Sequence, residues 1–356
     1  MNRLLRLGLP RDPSATSHLA GFVVSAVVTV LVTRAFLAAA GYPTVGSGGL
    51  HVAHVLWGGL LMAVAFVVLL SFAGPVARPV GALLGGVGFG LFVDEIGKFV
   101  TADNDYFYGP TASLIYAVVV TLVVVSEALH GRLPHDGREY LAGAVDQAVA
   151  GVAGGFTPRA RAEARALIAR AGDVHGAAEA RALVDAVADD TRELPNPINA
   201  VGAAVVRVTH RLVAARWVPW ITVAVLVASL VASVGMGLAA WWGGADQPGW
   251  VVVGLLVSAA GATGLAAWGL LLVRSDRREG YLRFRWAVLV SLLVVQVFVF
   301  RLREWSAVAG LAVELAVAGL VAAELQQTER ADADRAGPRP KATRTKAARQ
   351  GTAEFR

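Results

Sequence analysis

Residues 79–101 read PVGALLGGVGFGLFVDEIGKFVT: an apolar and glycine run over 80–93, followed by Asp94, Glu95 and Lys98. As a helix, the 80–93 run covers roughly 21 Å, short of a ~30 Å hydrocarbon core. A helix crossing a bilayer here must therefore carry two acids and a lysine into it. Charges at that depth are costly, and they mark an ion path, a ligand site or a buried pairing. Gly81/Gly85 and Gly86/Gly90 have small-xxx-small spacing, which lets the helix pack closely on its neighbours and turn its charges away from lipid.

The rest of the chain is built in the same manner. Of 356 residues, 56% are hydrophobic and 16% charged, with a mean hydropathy of +0.59. The apolar residues gather in blocks of about 20, the length a membrane-spanning helix needs. The expected fold is all-α: a polytopic membrane helix bundle of about eight transmembrane helices, at 18–40, 50–73, 79–101, 109–130, 217–242, 249–273, 283–302 and 304–325. Arginine placement orients it. Arg3, Arg6, Arg11, Arg78, the 131–216 segment, Arg274–Arg285 and the basic tail all fall on one side if both termini are cytoplasmic. Arg301 and Arg303 are the exception, at an outer turn. The basic N-terminus followed by an apolar run imitates a signal peptide. That run is too long, however, contains Arg34, and follows about 17 residues of leader, so it reads as a retained first helix. The expected location is the cell (inner or plasma) membrane.

Composition also excludes chemistry. No cysteine is present, so disulfides, iron–sulfur clusters and thiolate metal sites are ruled out. The net charge of +6 sits largely in cytoplasmic-type segments, where it suits anionic lipid headgroups rather than nucleic acid. The expected partners are the bilayer, those headgroups and, as an open option, a second copy of the chain.

Five regions follow: a cytoplasmic N-terminus at 1–17, helices 1–4 at 18–130, a cytoplasmic helical insert at 131–216, helices 5–8 at 217–325, and a basic tail at 326–356 expected to be disordered. Within the insert, Thr157-Pro158 has the form of an N-cap with proline at the first helical position, opening a helix to about Ala171. A second helix is expected from about Ala177 to Asp189. Ile198, Val201, Val205, Val208 and Leu212 then recur at helical spacing, as in a helix lying in the membrane interface.

Depth arithmetic draws the candidate site together. His51 and His54 fall in the first turn of the second helix, on one face. Asp94 to Lys98 end the third helix, and Arg34 of the first reaches a comparable height at ~1.5 Å per residue. The following loop adds Asp103 and Asp105. Lys98 is spaced to pair with Asp94 or Glu95. These residues fit three chemistries. Arg34 and Lys98 can neutralise the acids as a structural network. His51, His54 and some of Asp94, Glu95, Asp103 and Asp105 can hold a divalent metal such as Zn, Mn or Fe. The same groups can form a proton or cation pathway.

Deeper in the second half, Glu314 and Gln296 are expected to meet near mid-membrane, as structural glue or as a proton relay. Glu127 and His130 have Glu-x-x-His spacing but lie at the opposite end of their helix from His51, as an interface anchor. Trp217, Trp220, Trp241, Trp242, Trp250 and Trp286 sit near helix ends as belt aromatics. Gly86, Gly88 and Gly90 follow no strand, so they are no dinucleotide fingerprint. The leading functional expectation is transport of a small cation or proton. Asp94 and Glu95 would bind the ion, Arg34 and Lys98 would balance charge, Glu314 would serve as a deeper ion or proton site, and the histidines would act as pH-sensitive gates or ligands. The alternatives are a membrane-embedded metal-dependent hydrolase or lipid-modifying enzyme, and a non-catalytic scaffold.

Overall fold

In the computed structural model the 79–101 stretch is not one helix. α4 (Ala77–Asp94) stops at Glu95, and a short α5 (Ile96–Val100) resumes after it. The Glu95 carbonyl accepts from Lys98 N at 3.0 Å, an i→i+3 closure that tightens the chain at the break. The structure describes residues 3–40, 54–101, 108–131, 134–190, 218–243 and 247–336. His51, Asp103, Asp105, Trp217 and the 198–212 stripe lie outside them. A single helical turn, α1 (Arg3–Arg6), precedes α2 (Ala15–Ala39), and α3 (His54–Ser71) is the third packing partner.

Glycine decides how α4 sits. A Cβ added to Gly88 would lie 2.6 Å from the Gly58 carbonyl oxygen and 2.8 Å from Met62 N on α3. On the other flank, a Cβ at Gly90 would lie 2.6 Å from the Ala26 carbonyl oxygen of α2, and one at Gly86 would overlap Ser25. The backbones of three helices therefore touch where no side chain intervenes, as small-residue packing requires. Gly88→Val is expected to destabilise the detergent-purified protein by roughly 1–3 kcal/mol. Gly59→Ala, with nothing within 4 Å of the added Cβ, should melt like wild type. Equal melting of the two variants would contradict this packing.

α6 (Thr111–Ser126), extended by a π-helical turn Glu127–Gly131, joins this trio to the second half. The latter comprises α10 (Val218–Trp242), α11 (Gly249–Leu272), α12 (Arg277–Val290), a π turn Ser291–Val295, α13 (Gln296–Arg303), a 3-10 turn Glu304–Ser306 and α14 (Ala307–Ala336). Leu226, Leu230, Leu255, Phe284, Val295 and Val321 are all buried in their shared core.

Among the described residues, seven helical segments are long and apolar enough to cross a membrane. The last, Arg277–Leu325, folds back on itself at Glu304, whose φ of 50° is unusual for a residue with a Cβ. Ser291 consequently meets Glu314, and Arg277 meets Glu324, across the hairpin. The sequence places two helices here, at 283–302 and 304–325. The first in fact starts at Arg277, and the second continues to Ala336, into the expected disordered tail.

The insert contains one helix that was not expected, α7 (Gly137–Gly154), in addition to α8 (Pro158–Ala171) and α9 (Ala177–Ala186). α7 buries Ala144, Ala148 and Gly151, so small residues leave only a faint apolar stripe to read. Asp136 and Glu139 close a capping box at its start. Thr157 caps α8 as expected, accepting from Ala160 N at 3.1 Å. α9 ends earlier than expected, at Ala186, because the chain turns extended and pairs Phe156 with Asp189.

The N-terminal segment and the α3–α4 turn both dock on α7. Arg11 Nε and Nη2 reach Glu139 at 2.9 and 2.8 Å, and Nη2 also donates to the Pro134 carbonyl at 2.8 Å. Arg78 pairs with Asp146 and lies 3.5 Å from Asp12. These arginines share the end of the bundle that faces the insert, opposite Asp94.

Candidate functional site

Close packing of α4 sets the position of Asp94. Gly90 and Asp94 are one turn apart, so the face that touches α2 also carries the carboxylate toward it. Arg34, two turns beyond Ala26 on α2, meets it there. Its Nε donates to Asp94 Oδ1 at 2.5 Å and its Nη2 to the Asp94 carbonyl at 2.7 Å. The guanidinium also lies 4.7 Å above the Trp305 ring, which ties the turn after α13 to the site. Val30, Val93 and Ile115 make a small apolar layer beside these groups, with Phe89, Ile96, Val118 and Trp305 packed against it.

His54, at the start of the described part of α3, spans the two acids. Its Nε2 is 3.0 Å from Asp94 Oδ2 and its Nδ1 is 3.4 Å from Glu95 Oε1. Lys98 Nζ donates to Glu95 Oε1 at 2.7 Å, and Val55 N donates to Glu95 Oε2 at 3.1 Å. Glu95 thus accepts from a backbone N–H in the first described turn of α3. Of the two acids within its reach, Lys98 takes Glu95.

Every oxygen of both carboxylates has a partner. Asp94 and Glu95 are 0% and 1% exposed, and Arg34 is 9% exposed. Lys98 and His54 retain 22% and 24% side-chain exposure. Among the described residues, Arg34 and Lys98 balance the two acids when His54 is neutral, and a protonated His54 adds a third cation. A neutral ring has one N–H for the two carboxylates it faces, whereas the doubly protonated ring has one for each.

Among the described residues, no three His, Cys, Asp or Glu side chains are arranged to hold a metal ion. His54, Asp94 and Glu95 do converge, but with their oxygens already taken by Arg34, Lys98 and Val55 N. The other three metal candidates, His51, Asp103 and Asp105, fall outside the described residues.

Glu314 and Gln296 do meet, in a second polar pocket. Glu127 is exposed and His130 half-buried in the π turn at the far end of α6 from Thr111. Trp220, Trp241, Trp242, Trp250 and Trp286 are exposed near helix ends. Trp305, Ser291 and Ser229 escape a sequence reading because the hairpin, the α6 crossing and the packing of α10 on α14 bring them to charged partners. In comparisons with known proteins, the chain matches no family model, no curated protein and no solved structure.

Proposed function

We propose that the chain is a multi-pass protein of the cell membrane, with both termini cytoplasmic, that moves protons or a small cation. The Arg34–His54–Asp94–Glu95–Lys98 cluster is its proton-sensitive outer gate. The observation that carries this is the His54 imidazole lying between two buried carboxylates that pair with Arg34 and Lys98. Imidazole is the side chain whose charge changes most readily near neutral pH. With His54 neutral the cluster is balanced and holds α2, α3 and α4 together. Protonation puts three cations on two acids, so Lys98 and His54 compete for Glu95. Both are partly exposed, whereas Arg34 and Asp94 are buried. A metal-dependent hydrolase has less support, since Asp94 and Glu95 would first have to shed their present partners.

The test is proteoliposome flux under an imposed pH gradient, read by an entrapped pH-sensitive dye and repeated with alkali cations. Wild type is expected to dissipate the gradient at a pH-dependent rate, and His54→Gln to flatten that dependence. Flux no greater than in protein-free vesicles sinks the transport assignment. An unchanged pH profile in His54→Gln sinks the gate.

A further inference from the structure

Glu314 of α14 lies in the interior of the helical second half, 4% exposed, with Ser291 at 0% and Gln296 at 3%. Ser291 Oγ is 3.0 Å from each carboxyl oxygen, Ser229 Oγ is 3.4 Å from Oε1, and the Gln296 side chain hydrogen-bonds the same carboxyl. Among the described residues no Arg, Lys or His pairs with it. Glu324, further along the same helix, does have a cation, Arg277. Arg277 is at the start of α12, whereas Ser291 is roughly 21 Å further along that helix. Glu314 therefore sits where a lone negative charge is most costly.

A second, independent observation concerns hydrogen. Gln296 Oε1 is buried and has no hydrogen-bond partner, although the amide it belongs to is aimed into this pocket. The pocket therefore holds a buried acceptor with no donor among the described residues, which buried polar groups rarely tolerate. The backbone is distorted at the same place: Ser291–Val295 is a π turn, and the Tyr116 hydroxyl of α6 donates to the Leu292 carbonyl within it. Single π turns inside α-helices recur at functional sites. Tyr116 is also the one titratable side chain facing Glu314 among the described residues. From α10, the Ser229 hydroxyl faces Glu314 and Ser233 donates to the Ser229 carbonyl.

We propose that Glu314 is an intramembrane proton-binding site, its polar shell formed by Ser291, Ser229 and Gln296, and that its proton exchanges with solvent. The added proton removes the uncompensated charge and supplies the donor that the pocket lacks. This deepens the proposed function by naming the carried species as the proton and Glu314 as its resting place.

The test is infrared spectroscopy of the full-length protein in lipid nanodiscs, which requires no transport. At neutral pH a carboxylic-acid C=O band is expected that disappears in Glu314→Gln and shifts in D2O. Ser291→Ala keeps the acid but removes a hydrogen bond, so it should move the band rather than abolish it; this variant preserves the test if Glu314→Gln does not fold. Absence of the band in wild type, or its persistence in Glu314→Gln, overturns the proposal. A band that does not shift in D2O marks a locked structural acid and also overturns it. Loss of the band on adding Na+ at constant pH would mean an alkali-cation site, a fourth refutation. An exchanging band in a protein without proteoliposome flux would leave this site standing and remove the transport function alone.

Discussion

Asp94→Asn is expected to destabilise the protein by about 3–5 kcal/mol, the cost typical of breaking a buried ion pair from one side. The loss arises less from the missing bond than from what remains. Arg34, 9% exposed, would keep its charge between α2 and α4 but lose its carboxylate partner, with the backbone carbonyl of residue 94 and the Trp305 ring among the contacts that stay. A ring of this kind compensates by about 0.5–2 kcal/mol. Arg34→Met should cost a similar amount, because it takes from the buried Asp94 its fixed cation and leaves His54 beside the carboxylate. The double variant Arg34→Met/Asp94→Leu removes both charges and should recover most of the loss, since well-packed apolar replacements of buried ion pairs are often neutral or better. Unfolding titrations with SDS in mixed micelles provide the measurement. Single variants that each cost under about 1 kcal/mol, or a double variant no better than the singles, would show that the pair is not energetically buried.

The second prediction concerns acid. Hydrogen bonding by the Arg11 guanidinium holds the Glu139 carboxyl at about 2 against an ordinary 4.5, although its burial pulls the other way. A carboxylate whose pKa is depressed in the folded state adds stability that is complete above the ordinary value and disappears as pH falls through the depressed one. Docking of the N-terminal segment on α7 should therefore be insensitive to pH above about 4.5 and weaken from there toward pH 2, by about 3 kcal/mol in all. Glu139→Gln should remove this acid sensitivity and loosen the contact already at pH 7. The chain contains no cysteine, so spin labels at Leu9→Cys and Val145→Cys, both exposed positions, report the distance without background. A wild-type distance distribution that stays narrow down to pH 2 would refute the assignment.

The apolar helices were legible because a run of about 20 apolar residues is a local property of sequence, long enough to cross a bilayer. The Thr157-Pro158 helix start was legible for the same reason, since a cap bonds within its own first turn. Convergence of Arg34, His54 and the acids also followed from counting rise per residue along three antiparallel helices. α7 was not visible, because alanine and glycine bury without marking a face. The break at Glu95 was not visible either, because its side chain serves α3 and Lys98 rather than its own helix. The hairpin at Glu304 was foreseen as two helices, but their ends were not, since nothing in the local pattern changes at Arg277 or before Ala336.

Composition and spacing alone therefore define an all-helical chain with acids, a lysine, an arginine and a histidine at one end of its apolar helices. Which atoms pair is a different matter. Lys98 had two acids within reach, and His54 had a choice between ligand and bridge. Glu314 had no foreseeable relation to Ser229, a residue 85 positions away. Those outcomes depend on how near the helix backbones come, and glycine contacts between α2, α3 and α4 and the fold-back at Glu304 set that distance. Approach of this kind is a property of pairs of helices, to which neither helix's own sequence is sufficient.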